Sequence, residues 1–267
     1  MGRAPPPRPR KRLGQHFLSD PRILDRIVGA LQLRGDETVI EIGAGRGALT
    51  ERLAGACKKL VAVELDRVLA PRLREQFADR PNVGIVESDI LDVPLASLAD
   101  GPFVVVGNVP YYITTPIIFH ALERPRADRI VLLVQREVAD RLAAKPDTSE
   151  YGALTVNVQS VASVEAVFNV AAGSFSPPPK VDSAVVRIAP LATPVVEPDE
   201  EDGFRRFVQV AFAQRRKQLK AVVRAVANAK TAQAEELLRS ARIDPSARAE
   251  TLSCAEFARL YRRIREL

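Results

Sequence analysis

Four consecutive residues, Asn108, Val109, Pro110 and Tyr111, follow a short apolar run and carry the clearest chemical signal in the sequence. The side-chain oxygen of Asn108 and a nearby backbone carbonyl can each accept one hydrogen of an amine, which localises the nitrogen lone pair. Pro110 fixes the backbone so that a carbonyl points inward, and Tyr111 offers a ring on which a base can stack. The pattern favours an amine nucleophile conjugated to a ring. The alternative is an ordinary turn with a capping Asn.

A glycine-rich segment and two acidic residues lie upstream of this motif. Residues 41–47 read Glu-Ile-Gly-Ala-Gly-Arg-Gly, in which Gly43 and Gly45 let the backbone turn tightly and approach a ligand closely. Glu64 ends the next apolar run, where its carboxylate can accept both hydroxyls of a ribose. Asp89 follows the third run and would lie beside an adenine ring, although an Asp there is more often a helix N-cap. These residues favour an adenosine-type cofactor, but they do not separate NAD from S-adenosylmethionine.

The elements that must position these residues are strands alternating with helices. Apolar runs of β-branched composition predict strands at 37–43, 59–65, 82–88, 103–108 and 129–135. Amphipathic stretches predict helices at 48–56, 67–78 and 115–123. This alternation predicts an α/β, Rossmann-like fold with a mostly parallel sheet and helices on both faces. Two further strand candidates, 154–168 and 182–189, predict an antiparallel pair that closes the sheet.

The last third of the chain changes in composition. Residues 189–203 contain three prolines and five acidic residues and are typical of a linker. Helices are predicted beyond it, at 204–226, 232–241 and 254–267. We therefore expect four parts. They are a basic, disordered extension at 1–12, an α/β domain at 13–190, a linker at 191–203 and a small basic all-α domain at 204–267.

The charge is segregated along the chain. The formal net charge is +6, but residues 1–12 carry net +5, residues 204–267 carry net +9 and residues 13–203 carry net −8. Two basic ends around an acidic body are either solvated surface or the electrostatic footprint of a protein that binds phosphate backbones.

Composition excludes several classes of protein. An apolar fraction of 46% with 27% charged residues is typical of a globular protein. There is no apolar run near the roughly 20 residues that a membrane-spanning helix needs, and no apolar segment follows the basic start as in a signal peptide. The two cysteines, Cys57 and Cys254, lie far apart and only two histidines accompany them, so we expect no disulfide, no metal site and a reducing cytoplasm.

Ten stretches of this sequence resemble the ribosomal RNA adenine dimethyltransferases, and most closely the KsgA-type branch that acts on bacterial small subunits. They are KRLGQHFL (11–18), VIEIGAGRGALT (39–50), VAVELD (61–66), SDIL (88–91), GNVPYYITTPI (107–117), LLVQREVADRL (132–142), YGALTV (151–156), FSPPPKVDSAVV (175–186), FAQRRKQLK (212–220) and RAETLSCAEFARL (248–260).

The resemblance implies an activity. The chain would be a class I methyltransferase with a seven-stranded sheet whose last strand is antiparallel. It would transfer methyl groups from S-adenosylmethionine to the exocyclic amines of two adjacent adenosines near the 3′ end of 16S rRNA. Its partner would be the 30S subunit or its precursor, without a membrane or a metal, and it would act as a monomer.

The resemblance also implies residue roles. Asn108 and the Pro110 carbonyl would bind the target amine, and Tyr111 and Phe175 would sandwich the target base. The residues implied to bind S-adenosylmethionine are Gln15, His16, Leu18, Gly43, Gly45, Glu64, Leu65, Asp89, Ile90 and Asn108. The residues implied to bind RNA are Arg215, Arg216, Lys217 and Lys220.

One departure and three alternatives stand beside this interpretation. Position 16 is His where the family often has Asn; imidazole is wider and titrates near neutral pH. The erythromycin-resistance methyltransferases share the motifs but modify large-subunit RNA. A second alternative is a binding protein that assists assembly without turnover, and a third is an NAD oxidoreductase. Intact Gly43, Glu64, Asp89, Asn108 and Tyr111 disfavour the second, and the Asn-x-Pro-Tyr motif would be unexplained by the third.

Overall fold

The computed structural model of the chain describes residues 14–214 and 217–267. These residues form two compact units. The first comprises the chain up to Ala139 together with Glu165–Pro190, and the second comprises Asp140–Val164 and Leu191–Leu267. In the part of the chain that is described, no helix is long and apolar enough to cross a membrane.

The first unit is built on a seven-stranded sheet. Its strands are β2 (Thr38–Ile42), β3 (Lys59–Glu64), β4 (Val83–Glu87), β5 (Phe103–Asn108), β6 (Arg129–Gln135), β7 (Ala162–Val170) and β9 (Ser183–Pro190). They lie in the order β4-β3-β2-β5-β6-β9-β7. The pairs from β4 to β6 are parallel, and β9, the last strand of the chain, is antiparallel to β6. A second, two-stranded sheet pairs β1 (Phe17–Leu18) with β8 (Phe175–Ser176).

Helices connect these strands. The chain passes through α1 (Pro21–Leu31), α2 (Ala48–Leu53), α3 (Leu69–Gln76), α4 (Thr114–Ala121) and α5 (Arg136–Ala143). Val104 and Val106 of β5 pack in one apolar cluster with Leu31 of α1 and Leu53 of α2. Val105, which points to the opposite face, is also fully buried, so the sheet is covered on both faces. The predicted mostly parallel sheet is therefore confirmed.

The second unit is helical around an aromatic core. Its helices are α6 (Ala153–Gln159), α7 (Glu201–Ala213), α8 (Leu219–Val226), α9 (Thr231–Ser240) and α10 (Cys254–Arg265). Tyr151, Phe204, Phe207 and Phe257 lie in its core. The Tyr151 hydroxyl donates a hydrogen bond of 2.6 Å to the backbone oxygen of Leu252, which satisfies the one polar group of that ring.

Two sequence-based predictions of secondary structure were wrong. The predicted strand at 154–168 is a helix, α6, followed by β7. Helix α6 is buried on nearly all sides, as Leu154, Val156, Asn157 and Val158 show, so it lacks the amphipathic period that identifies a helix. The predicted single helix at 204–226 is interrupted between α7 and α8.

The segment predicted as a linker, 191–203, belongs to the second unit in the structure. The Val195 amide donates a hydrogen bond of 2.8 Å to the Ser160 backbone oxygen. Val196 is buried in the aromatic core because its apolar side chain fills space there. The predicted extension at 1–12 lies outside the described residues.

Candidate active site

A cleft opens where β2, β3, β4 and β5 end, at the carboxyl edge of the sheet where α/β folds place their ligands. It encloses about 830 Å³ of space, including its open mouth. The predicted site residues that line it are Gln15, His16, Gly43, Gly45, Glu64, Leu65, Asp89, Ile90, Asn108, Pro110 and Tyr111. The fold thus gathers residues that lie up to 96 positions apart in the sequence.

Glu64 lies at the base of this cleft and is held by the backbone. The Asp66 amide donates to its Oε1 at 2.8 Å, and the Gly45 amide donates to its Oε2 at 2.7 Å. Burial raises the pKa of the Glu64 carboxyl, and these two hydrogen bonds oppose that shift. The Leu65 amide is a third backbone donor to this carboxylate, and an acceptor position remains for a ribose hydroxyl.

Gly45 brings the backbone close to the cleft. Its φ is +58°, a left-handed conformation that favours glycine. A Cβ at this position would lie 3.2 Å from two atoms of the Phe17 ring. The φ angle and the Phe17 ring therefore both disfavour a side chain at this turn beside the cleft.

Asp89 serves as an N-cap and also lines the cleft. Its Oδ1 accepts a hydrogen bond of 3.0 Å from the Leu91 amide at the start of a short 3₁₀ helix. The capping interpretation of the sequence is confirmed. The capping hydrogen bond occupies one carboxylate oxygen of Asp89, and the other oxygen remains an acceptor for an adenine amino group.

A second cavity lies against the first and shares Gly43, Gly45 and Asn108 with it. Leu18 lines this second cavity rather than the cleft. Glu41 lines the same cavity but is almost fully buried. It accepts a hydrogen bond of 2.6 Å from the Thr50 hydroxyl. Burial raises the pKa of Glu41 to about 7, with a smaller contribution from the charge of Glu64.

Asn108 is held in one orientation. Its Nδ2 donates a hydrogen bond of 3.0 Å to the backbone oxygen of His16. Because a carbonyl oxygen can only accept, the amide nitrogen must face His16, and Oδ1 is the acceptor that remains for a ligand. The side chain is therefore set to accept a hydrogen bond from an amine.

The predicted role of the Pro110 carbonyl is not supported by its contacts. That oxygen accepts hydrogen bonds from the Ile113 amide at 3.1 Å and from the Thr114 hydroxyl at 3.4 Å, which occupy both of its lone pairs. The carbonyl oxygen of Val109 accepts no hydrogen bond from the residues that the structure describes. Val109 and Pro110 both line the cleft, so the lack of a hydrogen-bond donor to the Val109 carbonyl among the described residues favours it as the second acceptor.

Tyr111 is anchored at its hydroxyl and bordered by a second ring. The Tyr111 hydroxyl and Ser183 Oγ are 2.6 Å apart, and burial raises the pKa of the phenol. The His16 ring is nearly parallel to that of Tyr111, with centroids 6.1 Å apart. Nδ1 of His16 must carry a proton, because it donates to the Pro177 backbone oxygen at 2.8 Å.

Phe175 is not among the residues that line the cleft, and its burial disfavours the predicted sandwich of a base between Tyr111 and Phe175. The Phe175 side chain is 4% exposed and packs in the core of the first unit, where Leu18 is its partner across the two-stranded sheet. Three prolines follow at 177–179, and by themselves they favour a stiff loop. Strand pairing instead turns the ring inward.

Of the four residues predicted to bind RNA, Arg215 and Arg216 lie outside the described residues. Lys217 is exposed and Lys220 is half-buried, both in the second unit. Within 14–214 and 217–267, no carboxylate forms a salt bridge with either lysine. Among those same residues, no cluster of His, Cys, Asp and Glu is suited to hold a metal ion.

The sequence-based prediction missed several residues of the site. Ser183 holds Tyr111 from β9, far away in the sequence, and nothing in its local pattern signals that contact. Glu41 has no predicted role in the sequence analysis, although its position inside an apolar strand is itself a signal for a buried charge. Tyr112 lines the mouth of the cleft.

Comparison with known proteins supports the same assignment. The sequence model described as ribosomal RNA adenine dimethylase matches residues 7–266. A protein of Geobacter metallireducens named ribosomal RNA small subunit methyltransferase A is 45% identical over 266 residues, covering 97% of both chains. A protein of the same name from Pseudomonas aeruginosa is 40% identical, covering 97% of this chain and 96% of its own.

Solved structures give the same result. A dimethyladenosine transferase from Plasmodium falciparum superimposes with a TM-score of 0.82 at 28% identity, covering 92% of this chain and 96% of that one. The 23S rRNA methyltransferase ErmE superimposes with a TM-score of 0.73 at 30% identity, covering 93% and 99%. The resemblance found in the sequence is confirmed, and the chain belongs to the ribosomal RNA adenine dimethylase family.

Proposed function

We propose that this chain dimethylates the exocyclic N6 amines of two adjacent adenosines near the 3′ end of 16S rRNA as the 30S subunit matures. The observation that carries the proposal is Asn108, whose amide is turned so that Oδ1 is available next to the Tyr111 ring. The small-subunit target is supported by the names of relatives that are 40–45% identical along the whole chain, against 30% for the 23S enzyme.

The cleft fits S-adenosylmethionine, the methyl donor of the family. The backbone of Gly43 and Gly45 would lie under the cofactor, and Glu64 would accept hydrogen bonds from its ribose hydroxyls. Asp89, Ile90 and Leu65 would surround the adenine. The bound sulfonium supplies an electrophilic methyl group and an uncharged leaving group. Acidic side chains at this end of the site suit a ligand that carries positive charge.

At the amine end, two neutral acceptors shape the nucleophile. The Asn108 Oδ1 and a backbone carbonyl each accept one amine hydrogen, which withdraws the lone pair from the adenine ring. The Val109 carbonyl fills the second role because both lone pairs of the Pro110 carbonyl are used within the chain. Alignment of this lone pair with the methyl carbon accelerates the transfer, because a fixed geometry replaces an encounter in solution.

No general base is required at the amine. The amine proton becomes acidic only after nitrogen has accepted the methyl group, and it then passes to solvent. The phenol of Tyr111 has a raised pKa and stays protonated, so Tyr111 serves as a stacking surface rather than as a base. A second methylation at the same nitrogen requires that the monomethyl amine turn its remaining hydrogen towards an acceptor.

The second unit supplies cations for rRNA phosphates. Lys217 and Lys220 lack carboxylate partners among the described residues, and Arg215 and Arg216 extend the same basic sequence. Such contacts bind any phosphate backbone, so selection of the site depends on the cleft. We further propose that the chain acts as a monomer, without metal, in the cytoplasm where ribosomes assemble.

The test is methylation of isolated ribosomal subunits. Unmethylated 30S and 50S subunits are incubated with labelled S-adenosylmethionine, and nucleosides are identified after digestion. Label in dimethyladenosine from 30S alone supports the proposal. Label from 50S would indicate the large-subunit activity of the ErmE type, and binding of 30S without label would indicate an assembly factor.

A further inference from the structure

Tyr112 is an aromatic ring exposed at the mouth of the cleft. It is 63% exposed, and it is the one aromatic residue among the exposed large apolar side chains that the structure describes. A single exposed apolar residue is ordinary on a protein surface. The position of Tyr112 is not ordinary, because it lines the cleft and directly follows Tyr111.

The two tyrosines point in different directions. Residues Tyr111–Ile113 form one turn of 3₁₀ helix, in which successive side chains are about 120° apart. Tyr111 is directed to Ser183, while Tyr112 is directed to Gly14. One short turn therefore presents one ring inside the site and one at its rim.

The Tyr112 ring is supported along one side. Gly14 has φ of +58°, and the position of its missing Cβ lies 3.6 Å from Tyr112 Cε1 and 3.7 Å from Cδ1. The ring thus lies beside the N-terminal segment on one side and is open to solvent on the other. Its hydroxyl makes no hydrogen bond to residues within the described ranges.

The exposed Tyr112 ring offers a flat apolar face of the kind on which a nucleotide base can stack. When one adenosine is extruded into the cleft, the base of its neighbour loses a stacking partner. A rigid, exposed aromatic ring restores stacking, the common way in which proteins hold single-stranded RNA. We propose that Tyr112 stacks on the base of the nucleotide adjacent to the target adenosine. This inference rests on the proposed function, in which that neighbour is the second adenosine to be methylated.

The stack has a consequence for catalysis. A neighbour that is stacked on Tyr112 cannot return to stack on the target base, so the extruded state is favoured. The effect is expected on binding of RNA and not on binding of cofactor, because Glu64 ends β3 and Asp89 follows β4, whereas Tyr112 lies beyond the end of β5. Loss of an aromatic stack on a base weakens binding by roughly 5- to 150-fold.

The experiment compares Tyr112→Ala and Tyr112→Phe with the full-length wild-type chain on unmethylated 30S subunits. Tyr112→Ala is expected to raise KM for 30S by about 5-fold or more, with the dissociation constant of S-adenosylmethionine unchanged. Tyr112→Phe keeps the ring and is expected to restore the wild-type KM. Val68→Ala removes another exposed apolar side chain of the first unit, away from the cleft, and controls for general loss of surface.

A second measurement isolates the partner. In 30S subunits whose rRNA carries an abasic nucleotide next to the target, wild type and Tyr112→Ala should methylate with equal KM, since neither can form the stack. A persistent difference between them, or a normal KM of Tyr112→Ala on intact 30S, would overturn the inference. Failure of wild type to methylate intact 30S would instead refute the proposed function.

Discussion

Glu41→Gln should stabilise the sheet of the first unit at neutral and higher pH. Glu41 is 2% exposed within β2, and the Thr50 hydroxyl donates a hydrogen bond to it. Burial raises its pKa from 4.5 to about 7. The folded chain therefore holds this proton more tightly than the unfolded chain. Glutamine keeps the shape and an oxygen for Thr50, and it carries no charge to desolvate.

The sign and size follow from that shift. Because the pKa is raised in the folded state, Glu41 lowers stability as pH rises from 4.5 to about 7. Above that range the loss of unfolding free energy stays constant. Its full size is about 3 kcal/mol for a pKa shift of this extent. Between about pH 5 and pH 8, the wild type should lose about 2.5 kcal/mol relative to Glu41→Gln.

Amide hydrogen exchange in a urea series, read by mass spectrometry on peptides that contain β2, measures this unfolding free energy for the sheet alone. Glu37→Gln is the matched control, since Glu37 lies immediately before β2 and is also buried. Burial favours a higher pKa for Glu37, but backbone hydrogen bonds from Arg34 and Gly35 and a side-chain bond from Arg129 lower it. The ionised Glu37 carboxylate therefore stabilises the fold, and this stabilisation is lost as pH falls. Glu37→Gln should lower the unfolding free energy more at high pH than at low pH.

The two variants must therefore diverge in opposite directions as pH rises. If the stability difference between Glu41→Gln and wild type were the same at both ends of the pH range, Glu41 would be ionised throughout in the folded chain. The desolvation argument would then be refuted. A parallel change in both variants would point to a general effect of charge removal instead.

Three further predictions concern the site. Asn108→Ala should lower kcat for methyl transfer by about 100-fold or more, with RNA affinity retained; normal turnover would exclude the lone-pair mechanism. Gly45→Ala should weaken binding of S-adenosylmethionine in calorimetry, because φ of +58° and a contact of 3.2 Å oppose a Cβ there; an unchanged affinity would show that the loop yields easily. Reversal of Arg215, Arg216 and Lys217 to Glu should weaken 30S binding and flatten its salt dependence, while cofactor affinity stays constant; an unchanged salt slope would return this segment to plain solvated surface.

The sheet and most of the cleft were predictable from the sequence because both rest on local signals. Strands buried on two faces are continuous apolar runs, and in parallel strands the residues that follow each run meet at one edge. This is why Gly43, Glu64, Asp89 and Asn108, each at or just beyond a strand end, could be placed together before the fold was known.

The remainder depended on contacts that no local pattern encodes. The ring of Phe175 faces the core because β8 pairs with β1, two segments that are more than 150 residues apart in the chain. The Pro110 carbonyl is used by the turn that Tyr111–Ile113 forms. Helix α6 resembles a strand because burial on all sides removes the helical period. In each case tertiary packing overrides a local preference.

The residue type at position 108 follows from its two neighbours. The His16 backbone oxygen, 3.0 Å from Nδ2, demands a donor, and the target amine demands an acceptor on the same side chain. A side-chain amide supplies both in one short planar group. A carboxylate would set oxygen against oxygen at His16 and lose its fixed orientation. In the proposed function, acidic groups serve the cofactor end, where the ligand is cationic, and a neutral amide serves the amine, where positive charge appears only briefly and then leaves with a proton.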